Sequence, residues 1–409
     1  MLRRMLLLLL MTVLLLSLQL LPATSVVAHE EDAEVGSEGC GCNISRPRDS
    51  SVSSSAGACK AEEATTLESF PASASTASTA DKAPALEPDM VAVEGRTFSM
   101  GTDRPGVTGD GEGPARQVAV SPFLMDRFEV SNERYAAFVA DTGYVTESEE
   151  YGWSFVVDAA VAPAVREGIT RSVLGAEFWL PVTGAYWREP EGAGTDVFAL
   201  NTAGADRGNY PVTHVSWTDS ARFCEWRGGA RLPTEAEWEL AARGTFPTAP
   251  SGSAAAGKGK DKRVFPWGNK LLGDGGAYRA NLFQGEFPTI NTAVDGYAFL
   301  APVDAYGPQS DTGLHNMIGN AWEWVEDWWT VDHHTDAETP MPPLDPRGPS
   351  TGAEKVKKGG SFLCHRSFCY RYRIAARTKA SADSGSQNAG FRCAKSLPKT
   401  VSFDRVRRK

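Results

Sequence analysis

Apolar positions along this chain keep a helical rhythm in only three places. The first stretch starts near Ser131 and brings Tyr135, Phe138 and Val139 onto one face before Gly143 stops it. The second starts at Ser216, with Asp219 three residues on, and ends at Gly228-Gly229. The third opens on Thr234 and Glu237, the spacing of a capping box, and stops at Gly244. Elsewhere short apolar runs are punctuated by Asn, Asp and 40 Gly and 25 Pro spread through the chain. This texture predicts a loop-rich α+β domain with little regular structure, not a doubly wound sheet or a helix bundle.

The ends of the chain follow a different pattern. Met1-Leu2-Arg3-Arg4 leads into an apolar run from Met5 to Leu21, and Val26-Val27-Ala28 precedes polar His29. Charged start, apolar middle and small-residue site predict a secretory signal over 1–28, removed from the mature protein. The run is at the short end of what crosses a bilayer as an uncleaved anchor. No later stretch is apolar enough to span, so a soluble protein is expected. Residues 29–87 are rich in Ser, Ala, Glu and Thr and bury too little to offset the entropy of ordering, which predicts a flexible tail. That tail carries Cys40, Cys42, Cys59 and the glycosylation sequon Asn43-Ile44-Ser45. Residues 88–396 form one domain large enough for a single core, followed by a basic tail over 397–409. Within it, 245–262 is a low-complexity insertion expected to form a mobile surface loop.

A net charge of -10 argues against nucleic acid as the main ligand, since phosphate binding needs a broad basic face. Seven cysteines in a secretory chain leave at least one outside any internal disulfide. The chemistry concentrates at Gly359-Gly360-Ser361-Phe362-Leu363-Cys364-His365-Arg366-Ser367-Phe368-Cys369-Tyr370-Arg371-Tyr372-Arg373, an island of cations and aromatics in an acidic protein. Arg366, Arg371 and Arg373 should favour thiolate at Cys364 and Cys369, which suits nucleophilic, redox or soft-metal chemistry. The plain alternative is a disulfide closing a four-residue loop. Structural zinc would want four protein ligands, and only His365 stands close by. Two sulfurs without further ligands fit a two-coordinate Cu(I) centre with an open position.

The motifs extend well beyond the thiols. Met100-Gly101-Thr102, Glu129-Val130-Ser131-Asn132, Pro211-Val212-Thr213-His214-Val215-Ser216-Trp217, Arg231-Leu232-Pro233-Thr234-Glu235-Ala236-Glu237-Trp238-Glu239, Phe265-Pro266-Trp267-Gly268-Asn269, Gln284-Gly285-Glu286-Phe287-Pro288 and Gly319-Asn320-Ala321-Trp322-Glu323-Trp324 follow in order. With Cys364 to Cys369 and Asn388-Ala389-Gly390-Phe391-Arg392-Cys393, the region from about Pro88 to Ser396 closely resembles the formylglycine-generating enzyme (sulfatase-modifying factor) family.

The resemblance implies that family's loop-rich fold, distantly like C-type lectins. It implies a copper-dependent oxidase: Cys364 and Cys369 carry Cu(I), a substrate cysteine in a Cys-x-Pro-x-Arg segment of an unfolded sulfatase joins as the third thiolate, O2 binds, and the cysteine becomes Cα-formylglycine. Ser361 would orient oxygen or water, Trp322 would line the oxygen pocket, and Asn388 belongs to the same constellation. Two calcium ions are implied, one on Asn281, Leu282, Asp295 and Tyr297, the other on Asn316, Gly319, Ala321 and Glu323. A Cys224–Cys393 disulfide is implied as well, while the family's second core disulfide would join the positions held here by Ala242 and Ile374.

The chain departs from the family where Ala380-Ser381-Ala382-Asp383-Ser384 replaces the usual Asn-Thr-Pro-Asp-Ser. Glu326 or Asp327 is a candidate partner for the substrate arginine. The expected location is the lumen of the endoplasmic reticulum, or secretion; without a terminal Lys-Asp-Glu-Leu, retention would use a thiol-linked partner through Cys40 or Cys42. Two other readings remain at this point. One is a catalytically silent paralogue that binds sulfatases or glycans. The other is a metal-free thiol-disulfide oxidoreductase, for which a Cys-x-x-Cys in a thioredoxin-like setting is missing.

Overall fold

A computed structural model describes residues 45–46, 89–200, 204, 206–244, 262–333 and 341–397. The expected signal, the tail cysteines Cys40, Cys42 and Cys59, the sequon Asn43, the insertion up to residue 261 and residues 398–409 lie outside the described residues.

The three helices form where their caps place them. The helix Asn132–Thr142 is capped by Ser131 and ended by Gly143 at φ 67, a left-handed residue that glycine adopts without strain. Trp217–Trp226 and Glu235–Arg243 each begin with a reciprocal capping box, Ser216 with Asp219 and Thr234 with Glu237. Each box satisfies backbone donors that the first turn leaves open. Two short helices were not expected, Glu147–Tyr151 behind its own capping box at Thr146 and Pro163–Arg166 with proline at its start.

Short strands make two four-stranded sheets. In the first, Met90–Val93, Phe123–Asp126, Ala394–Ser396 and Ala230–Arg231 lie side by side and antiparallel. In the second, the order is Thr378–Ala380, Lys355–Lys358, Trp322–Trp328 and Ala389–Phe391. The last two pair in parallel, with Trp322 opposite Ala389 and Glu323 opposite Gly390.

The strand Trp322–Trp328 contributes to two apolar clusters. Trp322 belongs to an apolar cluster with Trp238, Ile374, Tyr372, Cys364 and Cys369, whereas Trp324 belongs to a second one with Tyr135, Phe138, Phe223, Cys224 and Cys393. Cys224 and Cys393 form a disulfide across 169 residues, with Cα atoms 5.7 Å apart. Ala242 and Ile374, where the family's second bridge would lie, are both fully buried in the first cluster, so apolar packing stands in place of the bond. Buried ion pairs tie the sheets together: Glu323 holds Arg392 at 2.6 Å, and Arg392 also donates to the carbonyls of Asp126, Arg127 and His315.

Candidate active site

The strand Lys355–Lys358 ends in Gly359 and Gly360 at φ 95 and φ 78. A Cβ at Gly360 would lie 2.9 Å from the Tyr372 Cα, so the turn into Ser361 requires glycine twice over. That turn brings Ser361 and Cys364 against the body of the domain. The Ser361 N–H points at Cys364 Sγ at 3.4 Å and its carbonyl accepts from the Cys364 N–H at 2.9 Å. The Cys369 N–H bonds the His365 carbonyl at 2.7 Å, folding the loop so that the two sulfurs face each other at 2.8 Å. Both are buried and neither is in a disulfide.

The expected companions come together here. Asn388 donates through Nδ2 to Ser361 Oγ at 3.1 Å, and its Oδ1 accepts from Ser386 Oγ at 3.0 Å, which fixes the amide orientation. The Asn388 carbonyl accepts from the Trp322 N–H at 2.8 Å. Trp322 is fully buried and its indole Nε1 has no hydrogen-bond partner, leaving an unspent donor in the thiol cluster. Burial raises the Tyr372 phenol well above its ordinary range, with Tyr370 and both thiols adding to the effect, so this ring is a neutral wall. Phe178, Phe287 and Phe368 form a partly exposed aromatic rim, with Phe287 stacked on Phe368 at 4.3 Å.

Several expectations change. Arg371 and Arg373 each have a carboxylate partner. Arg371 pairs with buried Asp110, and Arg373 is bidentate on Glu112, 2.7 Å from one carboxylate oxygen. Arg366 is exposed and lies over Tyr370. His365 bonds Ser367 Oγ at 2.7 Å, and burial lowers its pKa, so it is a neutral neighbour. Glu326 and Asp327 do not face the thiols either. Glu326 pairs with Arg347, and Asp327 accepts the Glu235 N–H and lines a separate cavity of about 880 Å³ with His333 and Arg377.

The site's donor set suits a soft monovalent ion. The sulfur separation of 2.8 Å exceeds a covalent bond of about 2.05 Å, and two bonds of about 2.3 Å at a wide angle span up to about 4.6 Å, so the side chains would part to hold an ion in that geometry. No group of three or more His, Cys, Asp or Glu is placed to hold a metal among the described residues.

The first implied calcium set also fits by its chemistry. Asn281 Oδ1 is a buried acceptor with no partner, and the Asp295 carboxylate gathers the N–H groups of Leu282 and Tyr297 at 2.8 and 3.1 Å. The Gln284 amide, missed in the sequence, bridges the Leu282 carbonyl and Asp295. In the second set Asn316 Oδ1 is likewise a buried, unpartnered acceptor, and Gly319 turns at φ 86. The Glu323 carboxylate expected there is instead the counter-ion of Arg392 and the acceptor for Trp238 Nε1 at 2.8 Å. Glu129, which the sequence does not single out, accepts from Asn316 and Asn320 at 2.9 Å each, and burial pushes its pKa up to about 8.

With this geometry in place, comparison with known proteins is informative. Residues 76–397 match the family described as "Sulfatase-modifying factor enzyme 1-like domain". A formylglycine-generating enzyme of Bos taurus is 44% identical over 386 residues, covering 93% of each chain. One from Thermomonospora curvata is 50% identical over 308 residues, 75% of this chain and 92% of its own. The "Inactive C-alpha-formylglycine-generating enzyme 2" of Bos taurus is 39% identical over 75% of this chain and 87% of its own. The solved structure of PvdO from Pseudomonas aeruginosa, 22% identical, superposes with a TM-score of 0.50 over 78% of this chain and 100% of that one, a likeness of fold alone. On the family match and these identities, the chain belongs to the sulfatase-modifying factor family.

Proposed function

We propose that the protein is an oxidase that converts a cysteine of newly made sulfatase polypeptides to Cα-formylglycine with O2. The observation that carries this is the buried pair Cys364 and Cys369, 2.8 Å apart and not joined in a disulfide, beside Ser361 and Asn388. Turning the cysteine thiol carbon into an aldehyde, with release of hydrogen sulfide, takes up one oxygen atom. The second leaves as water, which requires two electrons and two protons from a thiol reductant.

Copper(I), held by Cys364 and Cys369, would supply one-electron chemistry with O2 beside an open position for the substrate sulfur. The chain's own groups prepare that place. The Ser361 N–H stabilises negative charge on Cys364, and the Asn388-anchored Ser361 hydroxyl and the unspent Trp322 N–H are donors for a small polar molecule in a water-poor pocket. Carboxylates and carbonyls around Asn281, Leu282, Asp295 and Tyr297 would take one calcium ion. A second would use Asn316, Gly319 and Ala321, and Glu323 only once that carboxylate leaves Arg392.

The substrate segment is Cys-x-Pro-x-Arg, read in extended form before the sulfatase folds. The signal over 1–28 places the protein in the secretory pathway, with the endoplasmic reticulum lumen as working compartment, glycosylation at Asn43, and retention through Cys40 or Cys42. No helix among the described residues is long and apolar enough to cross a membrane.

The test is to incubate the purified protein with Cu(I), O2, a thiol reductant and a Cys-x-Pro-x-Arg peptide, and to follow the cysteine by mass spectrometry. Aldehyde formation supports the reading. A metal-loaded protein that binds the peptide without converting it favours the silent paralogue, a reading the 39% identity to an inactive relative keeps in play.

A further inference from the structure

Two described residues come from well upstream of the folded domain, and both are docked on it. Arg46 is 6% exposed. Its backbone N–H donates to Ser384 Oγ at 2.7 Å, and its Nη2 donates to Ser148 Oγ at 3.2 Å and to the Trp153 carbonyl at 2.9 Å. The Ser381 N–H donates to Ser45 Oγ at 2.9 Å. The guanidinium lies 4.0 Å from the Tyr151 ring centroid and 4.8 Å from that of Trp153, a cation–π arrangement. Asp383, Glu147 and Asp219 surround it with negative charge. The slot is therefore built for a guanidinium. Yet the fit is incomplete, because Arg46 Nε and Nη1, Glu147 Oε2 and Asp383 Oδ1 are all buried without hydrogen-bond partners.

The slot shares its walls with the thiol site. Ser384, which holds the Arg46 backbone, opens the stretch that ends at Asn388, the residue bonded to Ser361. Trp153 opens the strand Trp153–Val157, whose Ser154 donates to the Gly385 carbonyl and whose Phe155 packs with Phe362 and Leu363, just before Cys364. Four residues of chain separate Ser384 from Asn388, at most about 14 Å when extended. In the sequence Cys42-Asn43-Ile44-Ser45-Arg46, a cysteine stands four residues before the docked arginine. That is the interval of Cys-x-Pro-x-Arg, with Ile44 in place of proline.

Resting on the sulfatase-cysteine reading above, we propose that this acidic, aromatic slot receives the arginine of the incoming peptide and that Arg46 fills it in cis, making the tail a built-in competitor which substrate must displace. The hydrogen bonds to Ser384, Ser148 and Trp153 hold Arg46, and the four unspent polar atoms leave it short of locked, as a displaceable occupant requires. A tail that fills the slot about 80% of the time raises the apparent Kd for peptide about fivefold.

The experiment compares the full chain with its Arg46→Ala variant, using a fluorescent peptide in which serine replaces the reacting cysteine of Cys-x-Pro-x-Arg. Anisotropy then reads binding without metal or turnover. Arg46→Ala should bind this probe about fivefold more tightly. A free peptide of residues 42–46, with serine for Cys42, should compete with the probe on the variant. Asp383→Asn added to Arg46→Ala should weaken probe binding while leaving the melting temperature within a degree or so. In turnover, Arg46→Ala should lower KM and leave kcat unchanged. Equal or weaker probe binding by Arg46→Ala overturns the proposal even if the peptide is converted. Tighter probe binding without any conversion leaves the tail competitor standing and sinks the oxidase reading instead.

Discussion

Two cysteine pairs lie in two apolar clusters that both draw on the strand Trp322–Trp328, and they have opposite fates. Cys224 and Cys393 are joined across 169 residues in the cluster that holds Trp324. Cys364 and Cys369, five residues apart in the cluster that holds Trp322, face each other at 2.8 Å without a disulfide. The first pair closes a long loop, which is where a cross-link removes most unfolded-state entropy. The second closes almost no loop and gains little stability from oxidation. It is held instead by Ser361, Asn388 and a double-glycine turn. Proximity of sulfurs alone does not separate structure from chemistry; the loop that each pair closes does.

The comparison breaks most visibly if either reactive thiol is removed. Cys364→Ser or Cys369→Ser should reduce peptide conversion by more than about a thousandfold, the loss expected for groups that act as one unit. The melting temperature should barely move, and calorimetry beside the mass-spectrometric assay checks both halves. Cys224→Ala with Cys393→Ala should do the reverse, costing about 2 to 5 kcal/mol in denaturant titration while conversion at 25 °C persists. Ser361→Ala sharpens the contrast within the reactive pair: losing one aimed donor should lower kcat about a hundredfold, with copper stoichiometry intact.

The smallest effect concerns acid. Burial pushes the His214 pKa down to about 3, and its backbone joins Val212 and Val215 of the disulfide cluster. Below about pH 6.5 the unfolded histidine takes a proton that the folded one refuses, so stability falls as pH drops from 6.5 toward 3, by at most about 1.4 kcal/mol per pH unit. His214→Asn, which tolerates the φ of 61 at this position, should flatten that slope in melting curves between pH 7 and 5.5.

Local rules made much of the molecule legible. The caps at Ser131, Ser216 and Thr234 and the stops at Gly143 and Gly244 are short-range signals, and each helix forms between them. The thiol pair by itself left a disulfide closing a four-residue loop open, and the long run of matching motifs around it made it legible as chemistry. Strand order was not, since strands of two to seven residues carry little pattern and pair across the chain. The carboxylate partners of the cations beside the thiols were illegible for a similar reason: Asp110 and Glu112 lie 261 residues from Arg371 and Arg373. Nothing local to Glu323 announces Arg392 as its partner, and the docking of Arg46 gives no signal inside a tail whose composition predicts disorder.

Copper-edge X-ray absorption of the reduced, Cu(I)-loaded chain tests the account most directly. It predicts one copper per chain with two sulfur neighbours, rising to three when a Cys-x-Pro-x-Arg peptide is added under nitrogen. Copper that binds equally well to the Cys364→Ser variant, or a sulfur count that ignores the peptide, would contradict it.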